Sequence, residues 1–217
     1  MPEKSKFLKL KDEEREARRE LFIFATLNLL EKMPFDEIGM RDIAAEVGVS
    51  AASIYRYFAS REDLFVEAFI KDMSVLQFWL EKKMKGGPMS IETFSLAIAD
   101  HLLESEPTFQ MMSFLMIKGK MNPELLIKFN ALQRSFIDKI DQMLEKIGAS
   151  SCLRLFSHAY LSAITGLLMT FRNYPGRTKE ETRRHIRRLA KLMSSIFQEG
   201  VTRVSPEMLS PTPPHDA

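Results

Sequence analysis

A chain of 217 residues with 45% hydrophobic residues and a formal net charge of +2 carries enough apolar material for one or two folded domains, with disorder expected only at its ends. The single Cys152 excludes an intramolecular disulfide framework and points to a reducing, cytoplasmic setting. No uninterrupted apolar run approaches the ~20 residues of a membrane span, and the charged stretch Glu3 to Glu20 predicts no signal peptide.

Residues 1–11 carry Lys4, Lys6, Lys9 and Lys11 and read as a basic flexible arm, with acidic residues concentrated behind it in Asp12 to Glu20. Residues 1–65 hold eleven Lys or Arg against thirteen Asp or Glu, a net −2. Phosphate attraction from this region would therefore rest on the arm, Arg41, Arg56 and Arg61. The alternative for the arm is a plain solvated terminus.

The stretch 40–58 reads as a helix-turn-helix. Met40, Ile43, Ala44 and Val47 recur at helical spacing, and Gly48 follows where a left-handed residue ends a helix. Ser50 then stands as the N-cap of a second helix, its hydroxyl placed to accept from a backbone amide. Ile54 and Phe58 take the buried side, leaving Ala51, Ala52, Tyr55 and Arg56 outward. Small residues in the first turn let a backbone approach base edges in the major groove, and Tyr55 and Arg56 reach phosphate or a guanine edge. An ordinary helical hairpin with a solvated face is the competing reading. Ser60 next caps a long helix running to about Lys85, where Gly86-Gly87-Pro88 breaks it.

From Arg19 to Phe69 the chain resembles the DNA-binding domain of the tetracycline-repressor (TetR) family of bacterial regulators. The resemblance rests on Ile23, Ala25 and Leu29-Leu30, on Phe35-Asp36 before Met40-Arg41-Asp42-Ile43-Ala44, and on Gly48-Val49-Ser50. Ile54-Tyr55, Tyr57-Phe58 and Ser60-Arg61-Glu62-Asp63-Leu64 complete it. It implies a helix-turn-helix domain over 12–72, with Ser50, Ala51, Ala52 and Ser53 as the groove-entering turn. It further implies Tyr55, Tyr57 and Arg61 at phosphates and Arg41 near the backbone or base edges. Three residues depart from the family pattern. Gly39 stands where Ser or Thr is frequent, Ala51-Ala52 replace a frequent Lys-Gly pair, and Tyr57 occupies a position where His is common.

The remaining elements are also helical, with no alternating strand pattern and no internal repeat. Ser90 opens a helix ending before Pro107, an apolar segment Phe109 to Ile117 stops at Gly119, and Pro123 starts a helix to about Ile147. A segment 151–172, a break at Asn173-Tyr174-Pro175-Gly176 and a last helix from about Thr178 to Glu199 follow. The tail 205–217, rich in proline, is expected to be disordered. The predicted fold is all-α, with a helical effector-binding and dimerisation domain over 73–204.

Ala159, Ser162, Ala163 and Gly166 place small residues where a second helix can approach closely. Ile186, Leu189, Leu192, Met193, Ile196 and Phe197 form a complementary apolar stripe. Two such helices from each chain would make a two-fold four-helix bundle, which is also the family's mode of dimerisation. Completion of a monomer core is the bland alternative. Leu189, Met193 and Ile196 join the four small residues as the interface candidates.

Phe and Met cluster between residues 78 and 143, and methionine suits adaptable apolar pockets. The effector candidates are Trp79, His101, Met112, Met116, Phe136 and His158. An apolar or amphipathic small molecule fits that lining, although plain core packing competes at each residue. Neither a metal nor a cofactor is predicted: Asp100, His101 and Glu104 could share a helix face, but Cys152 and His158 make no recognised ligand spacing. Residues 172–191 hold eight Lys or Arg against Glu180 and Glu181, and read as a solvated face or, alternatively, an anion site.

With no phosphate-binding glycine loop or nucleophile elbow, an enzyme is a weak alternative. The functional expectation is a homodimeric, ligand-responsive repressor bound to palindromic double-stranded operator DNA. An all-helical interaction module or apolar-ligand carrier without specific DNA binding is the alternative.

Overall fold

The computed structural model describes residues 2–118, 121–148 and 152–204, which form nine helices and no strand. In chain order these are α1 (Pro2–Leu30), α2 (Met40–Val47), α3 (Ala51–Ile54), α4 (Arg61–Lys85), α5 (Ile91–Glu104), α6 (Glu106–Lys118), α7 (Pro123–Lys146), α8 (Leu153–Phe171) and α9 (Lys179–Gly200). The side chains of Lys4 and Lys6, the stop at Gly119 and the tail 205–217 lie outside the described residues.

The first correction is at the start. Residues 2–11, expected as a flexible arm, are the first turns of α1. Proline is tolerated in a first helical turn, no glycine interrupts the segment, and the pairs Lys9–Glu13 (3.9 Å) and Arg18–Glu14 (2.6 Å) recur at i,i+4.

The chain divides into two compact units, Met1–Val75 with Ser105–Asn130, and Leu76–Glu104 with Ala131–Ala217. The expected single boundary at 72/73 is thus replaced by crossings inside α4 and α7, and α6 joins the N-terminal unit. The reason is visible in side chains distant in sequence. The Phe35 ring lies 4.5 Å from that of Phe65 and 4.4 Å from that of Phe114. Gln110 accepts the Phe35 amide at 2.6 Å and donates to the Leu30 carbonyl at 3.3 Å. Asn122 donates to Asp63 at 2.8 Å, and Lys128 pairs with Glu67 at 3.3 Å. The core of this unit includes Phe22, Ile23, Leu30, Ile43, Ile54, Leu64, Phe65 and Met111, all buried.

In the second unit α5 packs against both α8 and α9. Phe94, Ile98 and Leu102 of α5 are buried, as are Tyr160, Ile164 and Leu168 of α8. The buried line of α9 is Thr182, Ile186, Ala190 and Ser194, spaced by four. This differs from the expected stripe of large residues: Leu192 and Ile196 are exposed, and Leu189 and Met193 are half-buried. Small side chains face inward here because a three-way hydrogen-bonded knot occupies the contact. The Tyr160 hydroxyl is 2.8 Å from Ser194 Oγ and donates to the Ile91 carbonyl at 3.1 Å, while Ser95 Oγ is 3.0 Å from Ser194 Oγ. Burial pushes the Tyr160 phenol well above its ordinary pKa, so it remains a neutral donor.

Candidate nucleic-acid interface

Helix α2 ends at Gly48, whose φ of 76° is left-handed and whose amide reaches the Ala44 and Ala45 carbonyls. Val49 N–H also bonds the Ala44 carbonyl at 2.9 Å, closing the turn. At the other end Gly39 offers no hydroxyl, but Asp42 accepts the Gly39 amide at 2.7 Å and supplies half of a capping arrangement.

Ser50 stands at the N-cap position of α3 in extended conformation, yet its side chain makes no cap bond. Its hydroxyl lies 2.9 Å from Ser53 Oγ instead, which corrects the expected role and leaves both hydroxyls at the surface. The recognition segment is one short helix, continued as turns that return the Tyr57 and Phe58 amides to the Ile54 carbonyl. Ile54 and Phe58 are buried, as expected from their spacing. Arg41, Ser50, Ala52, Tyr55 and Arg56 are exposed, and Ala51 and Ser53 are half-buried beside them. Each of these seven candidates is thus at least partly open to solvent.

Tyr57 and Arg61 hold other posts. The Tyr57 ring packs 5.4 Å from that of Phe22, and its carbonyl accepts from Arg19 at 2.6 Å. Its side chain also hydrogen-bonds Arg18, which with Glu14 raises that guanidinium above its ordinary value. Arg61, expected at a phosphate, donates to the Ile38 carbonyl at 2.9 Å and lies over the Phe35 and Phe65 rings. It ties the start of α4 to the loop ahead of α2. Arg19 and Gln110 also hold this unit together and were not singled out as such. For Gln110 a signal existed, since an amide inside an apolar run demands a partner.

Residues 22–68 match the family described as bacterial regulatory proteins, tetR family. The chain carries a TetR-family DNA-binding domain. The chain is 24% identical over 124 residues to the fatty acid metabolism regulator protein of Bacillus subtilis (strain 168), covering 56% of this chain. The match spans 63% of the length of that relative. Among solved structures, a transcriptional regulator from Rhodococcus sp. Rha1 superposes with a TM-score of 0.67 at 16% identity, covering 84% of this chain and 96% of the other. The regulator FadR from Bacillus subtilis, in complex with stearoyl-CoA, gives 0.62 at 18% identity, over 83% and 98% of the two chains. At such identities the likeness is one of fold.

The six effector candidates are divided between the two units. Met112 and Met116 belong to the first unit, the former buried and the latter exposed. Phe136 is buried in the second unit, His101 is half-buried on α5, and His158 is exposed on α8. Trp79 alone lines a described cleft, of about 610 Å³, with Lys82, Lys83 and the turn Gly86-Gly87-Pro88. Three cations of α9 are matched by acids of α5. Arg183 pairs with Glu104 at 2.9 Å, Lys191 with Glu92 at 3.0 Å, and Arg187 with Asp100. No helix among the described residues is long and apolar enough to cross a membrane.

Proposed function

We propose that the protein is a homodimeric, cytoplasmic transcriptional repressor that acts by binding and not by catalysis. Its paired recognition segments would enter successive major grooves of a near-palindromic operator, about one helical turn apart. The observation that carries this reading is the outward edge of α3. Tyr55 and Arg56 stand exposed beside small residues, on a hairpin whose buried side is fully occupied by Ile54 and Phe58.

Pairing through α8 and α9 is supported by their exposed line. Ala159, Ser162 and Gly166 face outward, nothing lies within 4 Å of a Cβ built on Gly166, and Leu192 and Ile196 are exposed nearby in chain order. The effector is an apolar or amphipathic small molecule, a class to which the stearoyl-CoA of the Bacillus subtilis structure belongs. It would release DNA only by the difference in its affinity for the bound and free conformers.

The test is selection from a random duplex pool by the purified protein. The expected result is an enriched inverted repeat, with Tyr55→Phe and Arg56→Ala each lowering affinity about tenfold, the scale of one lost charge-assisted contact. A folded dimer that enriches nothing would leave the interaction-module reading standing instead.

A further inference from the structure

The N-terminal unit carries a basic wall on α1 that reaches the recognition segment at Arg56 and Tyr57. Lys11, Arg15 and Arg18 occur at i, i+4 and i+7 of α1 and so share one helix face. Glu13, Glu16 and Glu20 fall on the opposite face by the same period. Three of the five acids between Asp12 and Glu20 are therefore turned away from the three cations, and Asp12 and Glu14 are not.

A cleft of about 480 Å³ is lined by this face of α1 together with Arg56 and Tyr57. Asp12 and Glu14 line it as well, and Glu14 is bound to Arg18 at 2.6 Å. Four cations against two acids leave the lining with an excess of +2. Among the described residues, Lys11, Arg15 and Arg56 have no carboxylate within ion-pair distance. Arg18 differs from them in being paired with Glu14 at 2.6 Å.

We infer that this wall is a phosphate track, along which α1 grips the duplex backbone beside the half-site read by α3. Lys11, Arg15 and Arg56 are the residues that neutralise phosphates. The occupant is argued from two observations. The wall is continuous with the exposed edge at Tyr55 and Arg56, and its charge is opposite to that of the backbone. A helix also presents these cations without the ordering cost that a flexible arm would carry. The inference rests on the DNA-binding reading above and deepens it by adding residues outside the helix-turn-helix.

The experiment compares the wild type with a Lys11→Gln/Arg15→Gln double variant on two duplexes of equal length, one carrying the selected inverted repeat and one scrambled. Affinity is read by anisotropy across a salt series, with circular dichroism confirming unchanged helix content. The double variant is expected to lose about tenfold affinity on both duplexes at ~0.15 M salt, and the slope of log K against log salt should fall by about 2. The charge-preserving Lys11→Arg/Arg15→Lys variant should keep the wild-type slope, as should Arg188→Gln, an exposed cation of α9. An unchanged slope in the neutral double variant, with wild-type binding intact, overturns the track and leaves the recognition reading standing. A loss confined to the selected duplex overturns it too, because phosphate contacts carry no sequence information. A wild type that binds neither duplex overturns both readings.

Discussion

Arg61 lies over the rings of Phe35 and Phe65 at 5.1 and 5.5 Å and donates to the Ile38 carbonyl at 2.9 Å. Its residue type and place invite a phosphate role, and only the positions of three partners, Phe35, Ile38 and Phe65, reveal the structural one. A planar fork can stack and donate at once, which an ammonium cannot do. Replacing it by Gln should therefore destabilise the N-terminal unit by about 2 kcal/mol, the scale of a hydrogen bond from a charged donor plus a cation–π contact. Arg61→Lys should recover little of this. Urea unfolding reads both, and the salt slope of DNA binding should stay at the wild-type value. A slope reduced by about 1 would restore Arg61 to the phosphate contacts.

Among the elements, α9 has the most fully legible start. Thr178 Oγ1 accepts the Glu181 amide at 3.2 Å, and Glu181 accepts the Thr178 amide at 2.8 Å, a reciprocal cap written in the sequence as Thr-x-x-Glu. Those bonds from the Thr178 backbone and side chain hold the Glu181 carboxyl below its ordinary value of 4.5. A depressed carboxylate contributes stability above its unfolded pKa and loses it as pH falls through the folded one. Thr178→Ala should cost about 1 kcal/mol at neutral pH. The stability gap between wild type and Glu181→Gln should close as the medium is acidified below pH 4.5, followed by urea titrations at several pH values. A gap that persists in acid would mean that the carboxylate charge is irrelevant to the cap. Ser60 and Ser90 were readable in the same way, each accepting from the third residue onward at 3.0 and 3.1 Å. Ser50 was not: its hydroxyl meets that of Ser53 and makes no cap bond.

For the whole molecule the decisive variable is the assembly. Leu155, Leu192 and Ile196 are each more than half exposed on α8 and α9, the helices through which the proposed dimer would pair. Leu192→Glu/Ile196→Glu should yield a folded monomer in sedimentation equilibrium, with dimer affinity reduced at least about a hundredfold, as expected for charges placed on interface anchors. Operator affinity should fall with it, because a monomer reads a single half-site. A variant that remains dimeric would move the interface elsewhere.

The sequence by itself determined what short-range physics decides. The helical hairpin, the caps at Ser60 and Ser90, the left-handed Gly48 and the buried pair Ile54 and Phe58 were legible, because each depends on residues within a turn or two. The TetR-type hairpin was legible for the same reason. Only the tertiary structure decided which apolar faces meet. It placed α6 in the N-terminal unit through Gln110 and Phe114, turned α9 on Thr182, Ala190 and Ser194, and matched three cations of α9 to acids of α5. Those outcomes rest on partners up to 99 residues apart, such as Ser95 and Ser194. A helix's own period says which face is apolar but not what will cover it.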